Sequence, residues 1–156
     1  MDPFASPHNL DKQLLSLLEE ASINLCDWFS ESGSEGPLPN SFDLPEVHPE
    51  KEGVSNEVLL KDLQLIMKGA YKPSHPGALA HLDPPPLSAS IVGELICAGL
   101  NNNLLAEELS PSLSSLERNV CKWFCQKLGL GDLSGGVAAS GGSLSNLMAL
   151  VMARNI

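Results

Sequence analysis

A chain of 156 residues can form one ordinary domain with a real core, and its 43% apolar content suits globular folding, but with only 4% aromatics leucine has to fill that core. Nineteen acids against nine bases give a formal charge of −10, and the excess sits early: residues 1–52 hold eleven acids against Lys12 and Lys51, residues 53–156 eight acids against seven bases. No basic patch interleaved with aromatics suits nucleic acid, no apolar run reaches the ~18–20 residues of a membrane span, and the first residues lack a secretory leader's pattern, so a cytoplasmic, reducing compartment is expected.

From Leu10 to Trp28 the apolar positions Leu10, Leu14, Leu17, Leu18, Ala21, Leu25 and Trp28 recur at three- and four-residue steps, which predicts an amphipathic helix with Asp11, Lys12, Glu19, Glu20 and Asp27 on its polar side. Its stripe is expected to pack on another helix. Residues 31–54 then gather Gly33, Gly36, Pro37, Pro39, Pro45 and Pro49 among acids and serines, a composition that breaks helices and reads as a linker or extended arm. Along it Leu38, Phe42, Leu44 and Val47 are spaced so that the arm could lie across another surface.

Ser55 is placed to cap a second helix with Val58, Leu59, Leu63, Ile66 and Met67 as its stripe and Gly69 as its stop. Prolines at 73, 76 and 84–86 then enforce irregular loops around His75 and His81. Ser88 is expected to cap a third helix with Ile91, Val92, Leu95, Ile96 and Leu100 on its apolar face, ending near Gly99 and Asn101 to Asn103. Ser110-Pro111 pairs a cap with a proline at the first helical position, and Leu113, Leu116, Val120, Phe124 and Leu128 follow as a fourth stripe up to Gly129. Cys26, Cys97, Cys121 and Cys125 lack knuckle spacing and read as buried, reduced thiols with no metal.

The chain closes on Gly135, Gly136, Val137, Ala138, Ala139, Ser140, Gly141, Gly142, Ser143, Leu144, Ser145 and Asn146, then Leu147, Leu150, Val151 and Arg154 at helical spacing. This predicts a strand over 136–139, a tight turn and a helix. A helix start offers unpartnered N–H groups and the positive end of the dipole, so the turn suits an anion, with hydroxyls from Ser140, Ser143 and Ser145 and close backbone approach at Gly141 and Gly142. The alternative is a strand-to-helix turn whose glycines only satisfy backbone geometry. No second strand precedes the first, so helices followed by one strand and one helix read as the beginning of an α/β domain, and the chain as cut.

His75-Pro76, His81-Leu82-Asp83-Pro84-Pro85-Pro86, Asn101 to Leu105, Leu109-Ser110-Pro111 with Leu116-Glu117, and Gly135 to Asn146 closed by Ala153-Arg154 occur in an order and spacing that carry a family likeness. Over about residues 55–156 they resemble the N-terminal part of the group II pyridoxal-phosphate-dependent amino-acid decarboxylases, which include the glutamate, aromatic amino-acid, diaminobutyrate and cysteine-sulfinate enzymes. The resemblance implies a lyase of amino-acid metabolism that releases carbon dioxide from an L-amino acid to give an amine. It implies a full-length α/β fold (fold type I, a mainly parallel sheet), of which this chain is the mostly α-helical start with the first βα unit. It also implies a homodimer whose N-terminal helices wrap the partner. Residue by residue, it assigns Gly142 and Ser143 to the phosphate of pyridoxal 5′-phosphate, His81, Leu82, Asp83 and Pro84 to the substrate pocket, and Asn103 and Leu105 to positions that reach the neighbouring subunit's site. At His81 and Leu82 the aromatic decarboxylases carry aromatic residues, so this chain departs from their pattern.

The resemblance also implies a lysine preceded by histidine that holds the cofactor covalently, a histidine stacked on its ring, and an aspartate at the ring nitrogen. None of the seven lysines, read here as solvated, follows a histidine. No catalytic residue is therefore assigned, and the expected product is an inactive fragment divided as 1–30 (amphipathic helix), 31–54 (linker), 55–130 (helical segment) and 131–156 (start of the cofactor domain). Two other readings stay open: a non-catalytic product that dimerises with a full-length partner, and an unrelated phosphate-binding helical domain.

Overall fold

The structure, a computed structural model, describes residues 4–34, 36–39, 44, 51–79 and 82–155. Phe42, Val47 and His81 of the preceding reading lie outside the described residues. The chain divides into two units, residues 1–87 and 88–156.

In the first unit, helix α1 (Lys12–Ser30) starts where Asp11 turns its carboxylate onto the chain: Oδ1 accepts from the N–H groups of Gln13 at 3.0 Å and Leu14 at 2.9 Å, and Oδ2 from Ser6 at 3.1 Å. Asp11 is thus the cap of the helix, not a member of its polar face, and Leu10 stays outside it. Helix α2 (Asn56–Lys68) begins at Ser55, whose hydroxyl accepts from Val58 N–H at 3.3 Å, and gives way at Gly69 as expected. α1 and α2 pack on each other. Leu60 is the buried residue of α2, while Val58, Leu59, Leu63 and Ile66 of the predicted stripe are exposed. A single neighbouring helix covers only a narrow face, and the rest of the stripe has no cover among the described residues. Lys72 corrects the solvated reading of the lysines, because it is buried and its N–H donates to the Pro37 carbonyl at 2.9 Å.

In the second unit, helix α3 (Ser88–Leu100) includes Ser88 as its first residue, one position later than a cap would stand. It closes on Asn101, whose φ of 44° is the left-handed conformation that asparagine tolerates. Helix α4 (Pro111–Lys127) has proline in its first turn, yet Ser110 makes no side-chain cap bond and its buried hydroxyl meets no acceptor among the described residues. Its far end is a Schellman motif: Gly129 (φ 71°) donates to Gln126 O at 3.1 Å and Leu130 N–H to Cys125 O at 3.0 Å. Helix α5 (Gly142–Arg154) ends the chain.

Two expectations fail. Residues 134–139 form no strand; no described segment pairs with them, and the Ala138 N–H goes to a side chain instead of a ladder. Nor are the thiols generally buried: all four cysteines are free, but Cys26 and Cys97 are exposed, Cys121 is half-buried and only Cys125 is buried. The cause is common to both failures, since apolar faces and strand edges need neighbours. Leu60 and Cys125 are the only buried apolar side chains among the described residues. Among those residues, no helix is long and apolar enough to cross a membrane.

Candidate phosphate-binding turn

The approach to α5 is shaped by α4. Gly136 passes so near Cys121 that a β-carbon on it would stand 3.3 Å from the cysteine's own, and two residues later Ala138 N–H donates to Glu117 Oε1 at 2.9 Å. The chain then reaches Gly141 at φ 155°, ψ 169°, a conformation essentially reserved to glycine. Its Ala-like replacement would meet nothing within 4 Å, so backbone freedom and not space demands glycine there.

At Gly141 the helix opens without a side-chain cap, and its first turn contains no acid while Arg154 occupies the last. The positive end of the dipole is left uncompensated. Nothing lies within 4 Å of where a β-carbon would stand at Gly142, so the backbone there is open to close approach. Ser145 closes the first turn by donating its N–H to Gly141 O at 3.0 Å, and its hydroxyl donates to the same oxygen at 3.1 Å. That proton is spent locally, which removes Ser145 from the donors expected for an anion. Ser140 and Ser143 make no such bond among the described residues. Open N–H groups, two hydroxyls and a backbone without side-chain obstruction fit a phosphate group.

Of the other predicted site residues, Asn103 and Leu105, in the same unit as this turn, make no described hydrogen bond to it. Leu82 is 98% exposed, with Asp83 and Pro84 beside it, and all three belong to the first unit. Asn103 bends the loop after α3 by accepting the Leu105 N–H at 3.0 Å on Oδ1, and Leu105 itself is 90% exposed. Nearby, Arg118 of α4 grips Glu107 through two hydrogen bonds of 3.2 and 2.6 Å. Hydrogen bonding first and charge second hold the Glu107 carboxyl below its usual range and raise Arg118. Among the described residues no group of three or more His, Cys, Asp or Glu could hold a metal.

Glu117 and Cys121 were not singled out for this role. The predicted stripe of α4, Leu113, Leu116, Val120, Phe124 and Leu128, contains neither, and the only signal is that Leu116-Glu117 forms part of the likeness. Their spacing of four residues puts them on one face of the helix, but nothing in the sequence says that this face meets residues 136–138.

Residues 40–156 match the model of the pyridoxal-dependent decarboxylase conserved domain. The chain is 34% identical over 108 residues to L-2,4-diaminobutyrate decarboxylase of Acinetobacter baumannii, covering 69% of this chain and 21% of that protein. It is 31% identical over 106 residues to a glutamate decarboxylase-like protein of Gibberella zeae, covering 67% and 20%. The crystal structure of mouse CSAD superposes with a TM-score of 0.79 at 23% identity, over 91% of this chain and 31% of that one, a likeness of fold. The chain thus spans about a fifth of the length of the curated relatives it matches. The match over most of its length, carrying the uncapped glycine turn with it, makes this chain a member of the pyridoxal-dependent decarboxylase family, whose cofactor is pyridoxal 5′-phosphate.

Proposed function

We propose that the chain is the N-terminal portion of an amino-acid decarboxylase that releases carbon dioxide from an L-amino acid to give an amine. The observation that carries this reading is the uncapped start of α5 at Gly141, Gly142 and Ser143, within a segment that matches the family. The backbone N–H groups of Gly142 and Ser143 and the Ser143 hydroxyl would hold the cofactor phosphate. When bound, the cofactor supplies the electron sink that loss of carbon dioxide requires. The loop at His81, Leu82, Asp83 and Pro84 would line the substrate pocket, and Asn103 and Leu105 would reach the second subunit's site. Exposed Val92, Leu95, Ile96 and Leu100 on α3 support a homodimer, since such a face gains by burial.

The division of labour follows from the residues. The turn can fix an anion and so orient whatever carries it, but none of the seven lysines is preceded by histidine. Covalent attachment and the acidic partner of the ring nitrogen are assigned to other parts of the protein. The 156-residue chain alone is therefore expected to release no carbon dioxide from any amino acid. The test mixes chain and cofactor, traps with borohydride, maps the labelled lysine and assays carbon dioxide over several amino acids. Turnover accompanied by stoichiometric labelling of one lysine would overturn the reading.

In the full-length protein, Ser143→Ala is expected to weaken cofactor binding by ~1.5–3 kcal/mol, the value of a hydrogen bond to a charged group, with little change in substrate preference. Gly142→Leu should weaken it too by obstructing backbone approach. Titration of the cofactor into both variants decides the matter, and unchanged affinity in both removes the phosphate assignment.

A further inference from the structure

We infer that Glu117 is a positioning residue for the phosphate-binding turn: its carboxylate, on α4, sets where the chain enters α5. This rests on the phosphate reading of the turn. The geometry is a hold at two points. Ala138 N–H donates to Glu117 Oε1 at 2.9 Å across a sequence separation of 21 residues, and Gly136 lies against Cys121, one turn further along the same face of α4. Both contacts fall within three consecutive residues, so α4 holds the chain at two neighbouring points just before the turn. Glycine at 136 permits the approach, because a β-carbon there would already press on Cys121 at 3.3 Å.

Backbone N–H groups need acceptors, and residues 134–139 have no ladder among the described residues to provide them. Glu117 provides one only three residues before Gly141. The bond is solvent-exposed, so water could replace it at little cost in stability. What water cannot replace is the fixed distance from α4. A turn that binds an anion through backbone N–H groups works only when those groups are held within about 0.5 Å of their productive placement. The carboxylate accordingly matters for affinity more than for folding. Because an acceptor is what is needed, and not a charge, glutamine should serve in its place and leucine should not.

The experiment uses the full-length protein with four substitutions, Glu117→Leu, Glu117→Gln, Glu117→Asp and Ser143→Ala. It reads pyridoxal 5′-phosphate affinity by titration, Ala138 amide exchange, and the thermal midpoint. For Glu117→Leu we expect about ten-fold weaker binding, faster Ala138 exchange and an almost unchanged midpoint. Glu117→Gln should stay near wild type in all three. Should Glu117→Leu fail to fold, Glu117→Asp, shorter by one methylene, is read instead and should show the same two losses. Unchanged affinity in the leucine or aspartate variant beside a weakened Ser143→Ala overturns the positioning role and leaves the phosphate site standing. Loss of affinity in Glu117→Gln equal to that in Glu117→Leu also overturns it, since charge and not the acceptor would then be responsible. Ser143→Ala binding as tightly as wild type takes down the phosphate reading, and this inference with it.

Discussion

The starts of α1 and α5 solve the same problem in opposite ways. Asp11 turns its carboxylate onto the Gln13 and Leu14 N–H groups and places a negative charge at the positive end of its helix. α5 starts at Gly141, which has no side chain to turn, and no acid stands in its first turn. One terminus is capped by its own side chain, while the other has neither a side-chain cap nor an acid in its first turn. The difference lies in whether the cap position carries a side-chain acceptor, since both are ordinary helices otherwise.

The largest effect should come from closing the open end. Ser143→Asp brings a carboxylate to the first turn of α5, where it competes with phosphate for the same N–H groups. Cofactor affinity in the full-length protein should fall about a hundred-fold, ~3 kcal/mol, with the helix itself no less stable. Equal affinity would show that the two termini do not differ in the way described.

Next comes Gly141→Ala, which has room for its methyl group but must hold a conformation reserved to glycine. A destabilisation of ~1–3 kcal/mol is expected in chemical denaturation, along with loss of cofactor affinity as the turn relaxes. A smaller loss, ~1–2 kcal/mol, should follow Gly129→Ala, where the left-handed φ of 71° closes α4. That change should leave cofactor affinity intact, which separates a turn that merely ends a helix from one that starts a site.

The self-capped terminus predicts a pH dependence. Hydrogen bonds from Leu14 and Ser6, with a further one from Gln13, outweigh desolvation and hold the Asp11 carboxyl below its usual range. A lowered folded value means that its contribution is fully present above the unfolded value of about 4 and is lost as the pH falls through the lowered value. Residue-resolved hydrogen exchange over the first turn of α1 should show this loss, and Asp11→Asn, which still caps but does not titrate, should abolish it. The smallest effect belongs to Glu107→Gln. The pair with Arg118 is exposed, so its removal should scarcely move the unfolding midpoint, and any change should fade with added salt.

How much of this was legible beforehand depends on the range of the interactions. Caps and stops act within a few residues, so Ser55, Pro111, Gly129 and the glycine turn before α5 marked their helices in the sequence itself. Leu17, Leu18, Ala21, Leu25 and Trp28, too, lie on a half-buried face of α1, as their spacing required. The backbone of the turn was equally local: Gly141 stands at φ 155°, where a glycine is needed, and α5 follows at once.

Tertiary structure decided everything that depends on a distant neighbour. It chose Leu60 over the predicted stripe of α2, buried Lys72 beneath a bond to Pro37, and left Cys26 and Cys97 in solvent. It turned the Ser145 hydroxyl back onto Gly141, while Ser140 and Ser143 make no such bond among the described residues. Residues 136–139 have the composition of a strand, but a strand exists only through its ladder, and here the bonding partner is Glu117, 21 residues upstream. Periodicity records which residues share a face; only the folded chain determines what that face meets, because burial and hydrogen bonding are properties of pairs of surfaces and not of either one alone.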